Sequence, residues 1–122
     1  MKESHFNRFV AISFVISIIG TFAIVYLLQV GMKSSIPYKK AVEFIRQDKK
    51  IIEHLGKPIN EGIFLSGVLE DKKSSGDAKF AIPISGPKGS GTVHAVILKK
   101  DNIWTISVML FQYQKQEINL LE

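Results

Sequence analysis

Residues 9–32 of the chain carry no charge. The centre of this run reads FVAISFVISIIGTFAIVYLL. A helix needs about 20 apolar residues to cross about 30 Å of hydrocarbon, and the run is long enough. Phe, Ile, Val and Leu dominate it, and each favours insertion near the bilayer centre. The polar exceptions are Ser13, Ser17 and Thr21, whose hydroxyls can bond back to helix carbonyls. A cleavable signal peptide would be shorter and end in a small-x-small site. A buried soluble helix, apolar on every face, needs a larger body around it than this chain offers. The run therefore predicts a transmembrane helix over 9–30, after an N-terminal tail over 1–8.

The chain has 122 residues, so about ninety remain for one extramembrane domain with a modest core. It contains no cysteine, which excludes disulfides and thiolate metal sites. The net charge is +5, and the excess is local. Six basic residues between 33 and 50 face only Glu43 and Asp48. They have two readings: contacts to anionic headgroups, or the solvated face of an amphipathic helix. Ser13, Ser17 and Thr21, with Gly20 alongside, also have two. They can form a small-residue stripe that lets a second transmembrane helix approach, or they are small residues scattered in a span.

A linker over 31–36 leads to the domain. Pro37 suits a first helical turn, and Tyr38, Ala41, Val42 and Ile45 recur at helical spacing. Asp48 suits the N-cap of a second helix over 49–55. Gly56 suits its C-cap, and Pro58 prevents continuation. The period then becomes alternating. Strands are expected over 62–70, 77–84, 92–99 and 103–112. A glycine-rich turn is expected over 85–91, and Asp101 and Asn102 suit positive φ. Pro83 points to an edge or a bulge. Trp104, Ile106, Val108 and Leu110 are expected on one face of the last strand. The expected fold is α+β: two short helices packed on a four-stranded antiparallel β-meander over 37–112, then a polar tail over 113–122 that is free to fray.

No chemistry stands out. Ser85–Thr92 has the glycines of a phosphate loop but not the spacing, and a strand rather than a helix follows. His5, His54 and His94 have no metal-ligand spacing. No serine lies in a nucleophile elbow, and no basic–aromatic interleaving marks a nucleic-acid module. No catalytic residue, metal, cofactor or nucleic acid is expected.

The motifs run in a definite order: Ser35-x-x-Tyr38-x-x-Ala41, Leu55-Gly56-x-Pro58-Ile59, Ser66-Gly67, Gly76-x-Ala78, Ile82-Pro83-Ile84-x-Gly86-Pro87-x-Gly89-x-Gly91, and Trp104 alone. In this order the chain resembles the cytochrome c oxidase assembly factor 1 family. That family is related in fold to a domain of a mitochondrial inner-membrane presequence-translocase subunit. The resemblance spans nearly the whole chain. It implies a single-pass, non-enzymatic accessory factor that docks on a membrane complex such as a respiratory oxidase or a translocase. It offers no catalytic residues. No Arg-rich, acid-poor transit segment precedes the run, so the expected member is bacterial, in the cytoplasmic (inner) membrane. The resemblance puts the C-terminal domain outside. Lys33, Lys39, Lys40 and Arg46, counted against Lys2 and Arg8, put it inside. A membrane-tethered domain that binds a small apolar ligand is the alternative function. It requires a cavity rather than a filled core around Phe80, Ile82 and Trp104.

Overall fold

The computed structural model describes residues 2–122. Met1, the first residue of the expected tail, lies outside the described residues. The chain divides into two compact units, one ending at Gly31 and one running Met32–Glu122. Helix α1 spans Lys2–Lys33, so the residues expected as a tail from Lys2 onward belong to the helix. It is the one described helix long and apolar enough to cross a membrane, and none of its apolar window is buried.

In the second unit, α2 spans Ile36–Gln47 and α3 spans Lys49–Leu55. Ser35 caps α2 with its side chain, accepting the Tyr38 N–H at 3.4 Å, and Pro37 lies in the first turn. Pro37, Tyr38, Ala41 and Ile45 are buried. That spacing is one helix face. Asp48 has extended backbone (φ −73°, ψ 125°), so the helix breaks there. Its carboxylate accepts the Ile51 N–H at 3.1 Å and starts α3. Ile51 and Leu55 are the buried residues of α3. Gly56, at φ 79°, closes it with a conformation that a β-carbon would oppose. The Lys57–Pro58 peptide is cis.

The sheet is antiparallel throughout and has six strands among the described residues, where four were expected. They are β1 (Asn60–Glu61), β2 (Ser66–Asp71), β3 (Ser75–Gly86), β4 (Gly89–Lys100), β5 (Ile103–Tyr113) and β6 (Gln116–Asn119). The order is β1-β3-β4-β5-β6, with β2 also on β3. Alternating residues of β3 and β4, from Ala78 to Ile84 and from Val93 to Ile97, face α2 and α3. Ile45, Ile51, Leu55, Ile82, Val93, Ile97, Met109 and Phe111 are essentially free of solvent. Full burial of such a side chain contributes about 1.5–3 kcal/mol.

Four departures from the sequence reading have physical causes. The strand expected over 62–70 begins only at Ser66, and a separate two-residue strand, β1, precedes it at Asn60–Glu61. β1 pairs with Ile84 and Ser85, β2 pairs with residues 76–81, and Pro83 stands in the gap. The Pro83 carbonyl accepts the Gly62 N–H at 2.7 Å. The same side of Pro83 has no N–H to offer, so the ladder cannot run through. Pro83 is thus at neither an edge nor a bulge of its own strand.

The turn expected over 85–91 shrinks to Pro87 and Lys88, because β3 and β4 stay paired to Gly86↔Gly89. On β5, Trp104 and Ile106 share the inner face, but Val108 and Leu110 do not. Val96 pairs with Val108 while Ile97 pairs with Ile106, which leaves Ser107 as an extra residue. This bulge shifts the alternation, so Met109 and Phe111 are buried instead. Finally, 113–122 is not a loose tail. β6 pairs with β5, the Leu120 N–H donates to the Met109 carbonyl at 2.9 Å, and Leu120 is buried.

Candidate functional site

The sequence motifs come together in pairs. The Leu55-Gly56-x-Pro58 turn packs against the Gly86-Pro87-x-Gly89 hairpin. The Leu55 carbonyl accepts the Lys88 N–H at 2.9 Å, and Gly86 lies so close to that carbonyl that a β-carbon would overlap it. Gly56 sits beside the Pro87 ring, and Gly89 beside the Tyr113 hydroxyl. Gly91 leaves room for the Phe111 ring and Gly67 for the Lys79 carbonyl. Gly76 leaves room for Trp104. Tyr38 meets Phe80 edge-on at 5.9 Å between centroids, while Ala41 and Ala78 are fully buried where helix and sheet come close. Every one of these positions is used to bring two backbone segments or two rings together. None of them directs a reactive group at a common point.

Trp104 is held from two sides. Its carbonyl accepts from Lys40 Nζ at 2.6 Å. Lys99 Nζ lies 5.7 Å from its ring centroid and pairs with Asp71 at 2.7 Å. The basic segment proves to be largely a set of clasps. Lys33 Nζ donates to the Ile63 carbonyl at 2.6 Å. Arg46 grips both Glu61 oxygens, at 3.0 and 2.9 Å, and that pairing raises the guanidinium pKa. Lys50 Nζ donates to the Asn119 and Glu122 carbonyls at 2.8 and 2.7 Å. Sequence reasoning missed these roles because most of the acceptors are backbone carbonyls far along the chain. Burial raises the Tyr38 phenol pKa; Glu61 adds to the rise and Arg46 opposes it.

On α1, Ser17 Oγ donates to the Ser13 carbonyl and Thr21 Oγ1 to the Ser17 carbonyl, both at 2.9 Å. Gly20 has open space where a β-carbon would be. The hydroxyls bond to the helix's own backbone, so that side stays small and weakly polar.

Among the described residues, no three His, Asp or Glu groups converge as a metal site. His54 is edge-on to Phe111 and Tyr113, and its Nδ1 is 2.8 Å from the Lys50 carbonyl. His94 faces Gln112 at 3.1 Å. The surface depressions, such as that between Phe44, Lys50, Leu120 and Glu122, are open to solvent. Phe80, Ile82 and Trp104 are packed in the buried cluster. The arrangement suits holding a shape and presenting surfaces.

Comparison with known proteins agrees with this picture. The family model described as cytochrome oxidase complex assembly protein 1 matches residues 10–122. Searches of curated proteins and of solved structures return no match. The matched span takes in the apolar run, both short helices and all six strands, and on that basis the chain belongs to the cytochrome oxidase complex assembly protein 1 family.

Proposed function

We propose that this chain is a single-pass membrane protein that assists assembly of a respiratory oxidase, and that it acts by docking rather than by catalysis. The observation that carries the reading is the family match over residues 10–122. The uncovered apolar surface of α1 supports the anchor, because such a surface has no stable place in water. The side of α1 bearing Ser13, Ser17, Gly20 and Thr21 is where a neighbouring helix would approach most closely. The membrane is a bacterial cytoplasmic membrane and the folded unit stands outside it. Lys33, Lys39, Lys40 and Arg46 count toward the opposite orientation, but folded C-terminal domains translocate largely regardless of nearby charge.

Three experiments test this. Deleting the gene should lower assembled oxidase, and the tagged full chain should co-purify with oxidase subunits in mild detergent. Normal oxidase levels together with no oxidase subunit in the eluate would remove the assembly role. For orientation, the chain lacks cysteine, so Ser74→Cys in the β2–β3 turn gives one reactive thiol. Labelling by an impermeant reagent in intact cells is expected. Protection until lysis would put the unit inside.

A further inference from the structure

The β1–β2 connection carries two adjacent apolar side chains that the fold does not cover. Ile63 is 79% exposed and Phe64 is 61% exposed. Ile63 is more exposed than any large apolar side chain of α1, where the highest value is 70% at Phe9. Single exposed apolar residues are ordinary on protein surfaces. This pair is different because the loop around it is fixed. Before it, the Gly62 N–H is bonded to the Pro83 carbonyl at 2.7 Å. After it, Leu65 is buried in the core. At its tip, the Ile63 carbonyl accepts from Lys33 Nζ at 2.6 Å.

Lys33 is the residue directly after the uncharged run, which ends at Met32. One lysine side chain therefore ties the loop tip to the residue that directly follows the uncharged run in sequence. Ile36, three residues further on, is also 59% exposed. Lysine suits such a boundary, since its stem tolerates apolar surroundings while its ammonium stays at the polar layer. The acidic residue nearest the pair in sequence, Glu61, is already paired with Arg46.

We propose that Ile63 and Phe64 insert into the interfacial layer of the same bilayer that α1 crosses, making a second, shallow membrane contact clasped to the first by Lys33. The inference rests on the reading of α1 as a membrane span. The occupant is the lipid interface, where apolar and aromatic side chains are favoured beside basic ones.

The test uses the full chain in vesicles of three parts phosphatidylcholine to one part phosphatidylglycerol. A nitroxide is attached to Phe64→Cys or, separately, to Ile63→Cys. Both positions are exposed, so folding should be retained, and near-ultraviolet circular dichroism from Trp104 checks this. Power saturation compares access of oxygen, which partitions into lipid, with access of a water-soluble nickel chelate. Ala23→Cys inside the span and Lys115→Cys in the β5–β6 turn, at the other edge of the sheet, are the references. The oxygen-to-nickel ratio at 63 and 64 should exceed that at 115 several-fold and shift toward that at 23. A ratio at 63 and 64 equal to that at 115, with 23 in lipid, overturns the loop contact and leaves the span intact. An aqueous reading at 23 overturns the span and the contact with it. Exclusion of both reagents at 63 and 64 in native membranes, with aqueous readings in vesicles, assigns the loop to a protein partner and overturns the lipid contact.

Discussion

Replacing Gly86 with alanine tests the junction where α3 meets the β3–β4 hairpin. A β-carbon there would stand 2.9 Å from the Leu55 carbonyl carbon and 3.1 Å from its β-carbon, and nearer still to its carbonyl oxygen. These are backbone and near-backbone atoms at a helix end, so no side-chain rotation relieves the overlap. The same oxygen accepts the Lys88 N–H. Separation of the two segments therefore strains the packing and stretches that hydrogen bond. Overpacking costs about 1–3 kcal/mol, and a lost hydrogen bond adds about 1 kcal/mol. The φ of Gly86 is not in the left-handed region, so alanine also restricts the unfolded chain and returns about 0.4–1 kcal/mol. The net loss is about 1–3.5 kcal/mol. A unit of this size has about 5–13 kcal/mol in total, so the variant should still fold. Urea titration of the full chain in mild detergent, followed by fluorescence of Trp104, reads the change. With a slope of about 1.5 kcal/mol per molar, the midpoint should fall by about 0.7–2.3 M. Ser90→Ala, at an exposed position in the same hairpin, should stay within about 0.3 M. A Gly86→Ala midpoint as close to wild type as that of Ser90→Ala would refute the close-approach reasoning.

Three further outcomes are expected. The raised Tyr38 pKa means the folded state holds the phenol proton more tightly, so its stabilising share is complete below about pH 10 and is lost as pH climbs through the folded value; the urea midpoint of wild type should fall relative to that of Tyr38→Phe as pH rises above about 10, and curves that stay parallel there would contradict this. Leu120→Ala should cost about 2–3 kcal/mol and loosen β6, seen as faster amide exchange at residues 116–119; unchanged exchange there would show that β6 does not depend on its buried leucine. Glu61→Gln removes an ion pair whose arginine is 58% exposed, so the loss should be only about 0.5 kcal/mol and shrink further in high salt; a loss that persists undiminished in salt would mark the pair as more shielded than its exposure implies.

Much of the unit was legible because its signals are local. Ser35, Pro37, Asp48 and Gly56 mark helix ends through bonds to residues a few positions away. Asp101 and Asn102, at φ 53° and 65°, mark a hairpin in the same way. The illegible parts depend on distant partners. Pro83 announces that one ladder bond is missing, but not that the neighbouring strand breaks opposite it. Ser107 has nothing unusual about it; its bulge follows from fitting Met109 and Phe111 under the helices after Trp104 and Ile106 are already inward. Ile118 and Leu120 do alternate, but a polar context hides a four-residue strand. The basic residues gave a charge count, and only the folded chain reveals that Lys33, Lys40 and Lys50 hold carbonyls on far segments. The motif glycines were legible as positions but not as pairings, since each makes room for a segment elsewhere in the sequence.

The split beside Pro83 also limits how a partner can be recruited. A sheet edge invites another chain to join when it offers a continuous row of free N–H and C=O groups. Here one margin is divided into β1, of two residues, and β2, of six, with residues 62–65 turned out of the ladder between them. The other margin is β6, of four residues. Neither presents a long template, which discourages both fibril-like self-association and partner binding by strand addition. Under the proposed docking role, recognition of a subunit would rest on side chains displayed by the faces and loops, and affinity would respond to surface substitutions and be insensitive to competing extended peptides.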